Sequence, residues 1–448
     1  MAQRFVSANR EQDFLMPPSL RDWLPAGHLA WFVIDAVDQL DLAAFYGVYR
    51  DDGQGRPAHD PAVMVALLLF SYAVGVRSSR QVERRCVEDV ATRVIAANLT
   101  PDHATIARFR VRHEQALADL FGQVLGLCAK AGLLRAGTIA VDGTKLSANA
   151  SMEANRTLEG LREEAARAVA EAGEVDARED GLFGDARGDE LPSELADPAT
   201  RAERVKQLLE EMEGERAEAE AAQAAKVAAY EAKVAEGRRP RGKPPGRKLP
   251  HKVERALPKK VNLTDSDSRV VNDKGALTQG YNAQAAVAEG QIIVAVQVAE
   301  DTNDRRQLEP VVGAAQHELQ AAGIGQRIDK VLADTGYWNT EQMDALQDQG
   351  VTTIIAPTAG RNEVAPRKNK PPQGPHAERI GALLATDDGK TLYAKRKQIV
   401  EPVFAYVKHL RGITRLSRRG KQAVEAEWQL IATTHNLLKL HRSPQTAS

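Results

Sequence analysis

GTIAVDGTKLSANAS, residues 137–151, holds a carboxylate where a buried strand would continue with an apolar side chain. Thr138-Ile139-Ala140-Val141 is a β-prone run that ends on Asp142, and Gly143, Thr144, Lys145 and small polar residues follow. Two explanations compete. Asp-Gly is a common turn pair, and a strand end is also a place to present a metal ligand, because the sheet holds it while loops give access. The pattern recurs in KVLADTGYW, residues 330–338, where Val331-Leu332-Ala333 ends on Asp334 and a small-residue turn follows. Two strands of this kind bring both carboxylates to one edge of a sheet.

Working outward, the chain has 448 residues, enough for roughly two to four domains. It is 43% hydrophobic and 27% charged, as for a globular protein with a polar insert. A net charge of -1 hides segregated charge. Cys86 and Cys128 are too far apart for CxxC, which argues against a zinc site or disulfide scaffold and suits a reducing compartment. The apolar run Ala62 to Val76 is too short and mixed to span a bilayer easily. The first residues, MAQRFVSANREQDF, lack the apolar core of a signal peptide. A cytoplasmic protein without membrane contact is expected.

Residues 1–130 read as a helical N-terminal domain. DPAVMVALLLFSYAVGV has Asp60 as N-cap and Pro61 at the first helical position. Residues 136–151 form the first part of the sheet-bearing core, with GTIAVDGTKLSA reading as a strand. From 152 to about 236 the chain is rich in Ala, Glu and Arg and reads as long exposed helix, partly a coiled-coil hairpin. Residues 238–260 carry ten Lys/Arg against one acid with interspersed Pro, so an extended basic tether completes the 152–260 insert. Between 261 and 440, LTQGYNAQAAVAE and QIIVAVQVAE flank Gly290 as a hairpin, then helix, strand, helix and strand alternate. A second basic, Pro-rich insert precedes largely helical sequence from about Ala377 to Leu440. The fold class is mixed α/β, one sheet interrupted by insertions.

Paired carboxylates repel, and both stay ionised only with a cation between them. Hard oxygen ligands suit Mg²⁺ or Mn²⁺, and two such ions serve phosphoryl transfer. The best third acid is Glu401 in YAKRKQIVEPVFAYVKHLRG, placed near the start of a helix because Pro402 is harmless in a first turn. At about 100° per residue, Glu401 and Lys408 share one side, Lys397 joins them if the helix begins early enough, and Val403, Val407 and Leu410 form the opposite, apolar side. Residues 393–421 contain nine Lys/Arg against Glu401 alone, cations suited to holding phosphates. Glu300, Asp301, Asp304 and Glu341 read instead as solvated-loop acids.

These blocks make the chain recognisable. AVDGTKLSANAS, VLADTGYWN and YAKRKQIVEPVFAYVKHLRG resemble, in order, the first-aspartate strand, second-aspartate strand and glutamate helix of the DDE transposases of bacterial insertion sequences. The branch is the one with a tyrosine–arginine–glutamate–lysine signature in its last catalytic helix. NLTDSDSRV and QGYNAQAAV resemble the strands between the aspartates, and PDHATIARFR the end of the helical N-terminal domain. The resemblance implies an RNase H-like catalytic core and two Mg²⁺ (or Mn²⁺) ions on Asp142, Asp334 and Glu401. Water and then a DNA 3′-hydroxyl would be the nucleophiles. Tyr393, Glu401 and Lys408 match the signature in order. The usual spacing of three residues between arginine and glutamate favours Lys397 over Arg396 for the arginine's place.

The expected function is therefore cutting transposon ends and joining them to target DNA, by a homodimer or larger assembly acting on paired ends. The alternatives are an RNase H-like nuclease that cuts without joining, and a domesticated DNA-binding protein whose acids are relics. Further DNA contacts have plain rivals. Trp338 either stacks on a displaced base or is a core aromatic, and Tyr393 either meets a phosphate or packs. Thr105, Arg108, Arg110 and Arg112 either read DNA ends or form a solvated helix face. His103 and His113 read as structural, and the 238–260 tether as a sequence-independent phosphate contact.

Overall fold

The computed structural model describes residues 19–49, 58–164, 198–235, 244–246, 248–250, 260–273, 275–299, 301–357 and 372–443. Its strands are β1 (Arg135–Ser147), β2 (Asn155–Arg156), β3 (Val261–Asn262), β4 (Arg269–Asp273), β5 (Ala276–Glu289), β6 (Ile292–Ala299), β7 (Lys330–Ala333) and β8 (Thr352–Ile355). Before β1 come α1 (Leu29–Val37), α2 (Ala43–Tyr46), α3 (Pro61–Ala73), α4 (Ser79–Glu88), α5 (Val90–Ile95), α6 (His103–Arg112) and α7 (Glu114–Lys130). After it come α8 (Pro198–Ala235), α9 (Leu308–Ala321), α10 (Thr340–Asp348), α11 (Pro375–Ala385), α12 (Asp387–Ala405) and α13 (Lys421–His441).

The main sheet is mixed, as the sequence predicts. Its path runs β4-β5-β1-β7-β8, and β6 pairs with β5 beyond β4 along the same edge. β1 is antiparallel to β5 and parallel to β7, which is parallel to β8. β5 is buried along most of its length, and its Ala-rich NAQAAVA lets helices approach closely. Trp428 of α13 donates from its indole to the Gln284 carbonyl at 2.9 Å. Asn436, also on α13, accepts from the Ile293 N–H at 2.9 Å and donates to its C=O at 2.8 Å. A side-chain amide thus caps an edge strand as a neighbouring strand would.

One apolar core runs from α1, α3 and α7 through the sheet to α13. α3 is buried almost all round, which its apolar sequence dictates, and Asp60 caps it by accepting from the Ala62 N–H at 2.9 Å. The start of α8 makes a separate small core: Val205, Leu208 and Met212 pack with Leu161, Val261 and Leu263. The basic 238–260 tether, apart from residues 244–246, 248–250 and 260, and most of the second basic insert lie outside the described residues. Among the described residues no helix is long and apolar enough to cross a membrane.

β1 keeps its expected strand character through Asp142 to Ser147 along β5, while its pairing with β7 stops at Ala140. Two local expectations change. Glu401 is not near a helix start. α12 begins after the Thr386 cap, so Glu401 lies in its last turns and Pro402 is inside the helix. The missing proline N–H leaves the Gln398 carbonyl without its helical donor, and the Gln291 amide supplies one at 3.1 Å. Beyond Pro402 the chain takes a π-helical turn, Tyr406–Leu410, and Leu410 is 76% exposed instead of joining Val403 and Val407 in the core.

The basic run after Glu401 is largely consumed by the fold. Arg411 is buried and donates to the carbonyls of Ile431 (3.1 Å) and Tyr72 (2.8 Å) and to the Thr434 hydroxyl (2.6 Å). Burial pushes its pKa down to about 9. Arg415 and Arg419 bond Ala148 and Asn149, and Arg418 pairs with Glu114. These cations join the helices to the sheet.

Candidate active site

The register of two strands makes the site. Ala140 pairs with Leu332 in the parallel β1–β7 ladder. Two residues further along each strand stand Asp142 and Asp334, at the same parity and therefore on the same face. Because β7 ends at Ala333, Asp334 leaves the sheet and caps the short turn Thr335–Tyr337, its Oδ1 accepting from the Gly336 N–H at 2.8 Å. Asp142 Oδ1 accepts from the Gly143 N–H at 2.9 Å. The alternative reading of Asp142 as an Asp-Gly turn does not hold, since β1 continues past it, whereas Asp334 does cap a turn with one oxygen.

α12 crosses this edge and carries Arg396 and Glu401. Arg396 Nη1 lies 3.5 Å from Asp142 Oδ2, and its Nη2 lies 3.8 Å from Glu401 Oε1. The guanidinium is 12% exposed, the Asp142 side chain 20% and the Glu401 side chain 53%. Burial, and then the charge of Asp334, raise the Asp142 carboxyl to about 7. The Gly143 N–H and Arg396 oppose that rise, and Asp304 adds to it. A cation between the two acids would relieve the same penalty.

The preference for Lys397 is overturned. Arg396 points at the acids and Lys397 is exposed. The reason is helical phase: Arg396 precedes the buried Val400 by four and Val403 by seven residues, so it shares their sheet-facing stripe. Lys397, about 100° further round the helix, falls outside that stripe and faces solvent. If the site takes a DNA phosphate, as the resemblance implies, Arg396→Ala is expected to lower affinity for a DNA end by about tenfold, the loss of one charge-assisted contact. Lys397→Ala should stay within about twofold. Fluorescence anisotropy with a labelled end duplex checks both, and equal losses would contradict the geometry.

The remaining predicted residues scatter. Tyr393 packs half-buried beside the site and donates to the Ala333 carbonyl at 3.1 Å, one residue before Asp334. Lys408 donates to the Lys145 carbonyl at 2.7 Å and lies 3.4 Å from Asp273. Trp338 is partly buried against the main core. On α6, Arg108 is exposed, but Arg110 turns inward to the Tyr72 hydroxyl (3.1 Å), the Arg77 carbonyl (2.9 Å) and Ser79. Its position one turn after the buried Ile106 directs it to the core, so it is not a solvent-facing reader of DNA. Arg112 donates to the Val48 carbonyl at 2.6 Å and stacks on Tyr49.

Sequence reasoning missed Asp304. Its Oδ1 accepts from Asn282 Nδ2 (2.9 Å) and Gln284 Nε2 (2.8 Å), beside Lys145 Nζ (3.5 Å), so it is no solvated-loop acid. The available signal was in GYNAQAAV, where two amides at period two interrupt a buried Ala/Val strand. Buried amides need partners.

Among the described residues no three His, Cys, Asp or Glu side chains stand close enough together to hold one metal ion. The donor chemistry of Asp142 and Asp334 nevertheless suits Mg²⁺, which is commonly bound by one or two carboxylates with water and substrate phosphate completing its shell. Glu401 adjoins the pair through Arg396. Residues 248–437, which include Asp334 and Glu401, match the family described as transposase DDE domain, and residues 18–112 match a transposase domain (DUF772). No curated protein and no solved structure matches the chain.

Proposed function

Because the chain belongs to the DDE-type transposases of insertion sequences, we propose that it cuts the ends of a transposon and joins their 3′-hydroxyls to target DNA by phosphoryl transfer. The observation that carries this reading is that Asp142 and Asp334 each stand two residues beyond the last pair of the β1–β7 ladder, with Arg396 of α12 between Asp142 and Glu401. The path from β6 through β5, β1 and β7 to β8 supports an RNase H-like core.

In this reading Asp142, Asp334 and Glu401 would hold two Mg²⁺ or Mn²⁺ ions, which would supply charge neutralisation for the scissile phosphate and the attacking oxygen. The chain's own part is positioning and charge. Asp334 keeps its orientation because the Gly336 N–H fixes one of its oxygens. Arg396 balances Asp142 and Glu401 and supplies donors suited to a phosphate oxygen. Tyr393 braces the Ala333 backbone, and with Arg396, Glu401 and Lys408 we assign it to the tyrosine–arginine–glutamate–lysine signature. Arg108, Lys397 and Trp338 remain candidates for DNA contact; Arg110 does not, its donors being spent inside the fold. We assign DNA-end binding to residues 1–130, largely helical where they are described, and a homodimer or larger assembly to the pairing of two ends.

Incubation of the full chain with a labelled transposon end, plasmid target and Mg²⁺ tests this. Joined product is expected with the wild type and none with Asp334→Ala. Cutting without joining would identify a nuclease, and end binding with neither reaction a DNA-binding relic.

A further inference from the structure

Asp304, in the loop between β6 and α9, ties together the segments that carry the two aspartates. Asn282 and Gln284, 1% and 0% exposed, both donate to its Oδ1. Asn282 also holds the loop itself through the Asp301 carbonyl at 3.1 Å. Gln284 Oε1 in turn accepts from the hydroxyl of Tyr337, whose N–H donates to the Asp334 carbonyl at 3.2 Å. A polar chain therefore runs from Asp304 through Gln284 to the turn that presents Asp334.

On the other side Asp304 meets β1. A Cβ at Gly143 would lie 2.8 Å from Asp304 Oδ1 and 2.4 Å from Gln284 Nε2, so the strand is bare of side chain beside Asp142 and the acid fits there. Asp304 Oδ2 faces the turn, 3.8 Å from where a Cβ of Gly336 would stand. Lys145 approaches Oδ1 at 3.5 Å, and its buried ammonium makes no hydrogen bond among the described residues. A neutral acceptor would satisfy the two amides; a carboxylate also brings charge to the sheet edge.

We infer that Asp304 is a positioning residue of the cation site: it holds the Asp142 strand and the Asp334 turn in place and, with Lys145 opposing it, sets the site's affinity for a divalent cation. This rests on the proposed role of Asp142 and Asp334. Residues that orient a metal's ligands from behind change affinity by about 10–100-fold when replaced.

The test is Mn²⁺ binding to the full chain without DNA, followed by water-proton relaxation. Asp334→Asn should abolish tight binding. Asp304→Asn, which keeps an acceptor for Asn282 and Gln284 but removes the charge, should weaken binding about tenfold or more. Lys145→Met should tighten it severalfold, because a positive charge leaves the neighbourhood of a cation. Opposite signs are the signature, since a merely structural role would weaken binding in both variants. Wild-type affinity in Asp304→Asn, or weakening in Lys145→Met, overturns the inference while Asp334→Asn still loses the ion. Should Asp304→Asn fail to fold by circular dichroism, Lys145→Met decides alone. If the wild type binds no Mn²⁺, or Asp334→Asn binds as the wild type does, the proposed site fails and the inference with it.

Discussion

Asp142→Asn is expected to lose strand joining by at least about a hundredfold, on the scale of removing one preorganised charge-stabilising group, and yet to fold more stably than the wild type at pH 7.5. The two effects have one cause. Asp142 is held where its charge is unfavourable, by burial and by the facing Asp334, so its folded-state pKa rises to about 7 from about 3.9 in an unfolded chain. Between those values the folded protein keeps a proton that the unfolded chain has released. Stability from this group is therefore fully present below about pH 4, falls as the pH rises, and is lost by about pH 7, a penalty of up to ~4 kcal/mol. Asparagine carries no charge to penalise and still offers an oxygen to the Gly143 N–H. Scanning calorimetry with chelator present should show the variant melting above the wild type at pH 7.5 and the gap closing near pH 4. Added Mg²⁺ should narrow the gap at pH 7.5 by stabilising only the wild type. Equal melting at both pH values would remove the argument that Asp142 is strained toward a cation.

Glu427→Ala is expected to produce the largest loss of stability without touching the site. The Glu427 side chain is 1% exposed and pairs with Arg77 at 2.9 Å. It also accepts from the Ser417 N–H (2.8 Å), the Ser417 hydroxyl (2.6 Å) and the Arg418 N–H (2.9 Å). Four donors from the segment after α3 and the turn before α13 converge on one carboxylate. Its removal strands those donors, and breaking a buried pair of this kind costs about 3–5 kcal/mol, a large part of the ~5–15 kcal/mol that holds a typical domain. Glu427→Gln should recover little, because its NH₂ group would face either Arg77 or the Ser417 and Arg418 N–H donors. Urea denaturation followed by Trp fluorescence checks this. A loss below about 1 kcal/mol would mean that the Arg77–Glu427 contact is solvent-screened and weak.

The local code was legible wherever one element's own pattern decided it. The Asp60-Pro61 start of α3, the strand character of residues 137–147 and the apolar stripe of Val403 and Val407 all follow from capping, β-propensity and helical period. Misread residues were those whose partners lie far along the chain. Pro402 signalled a helix start because nothing nearby reveals that Gln291 can satisfy Gln398. Arg411, Arg415, Arg418 and Arg419 looked like a phosphate-binding run, since charge density in a sequence does not disclose which carbonyls and acids will face it.

Local pattern alone places Asp142 in one strand, Asp334 at the end of another and Glu401 on a helix, because strand and helix periods are local properties. Only the tertiary structure decided that Arg396 rather than Lys397 faces them, that Arg110 turns inward, and that Asp304 stands behind the pair. Those outcomes depend on the phase at which α12 and α6 pack and on the pairing of β5 with β1. Such contacts join residues far apart in the chain, and their geometry exists only once the core has closed.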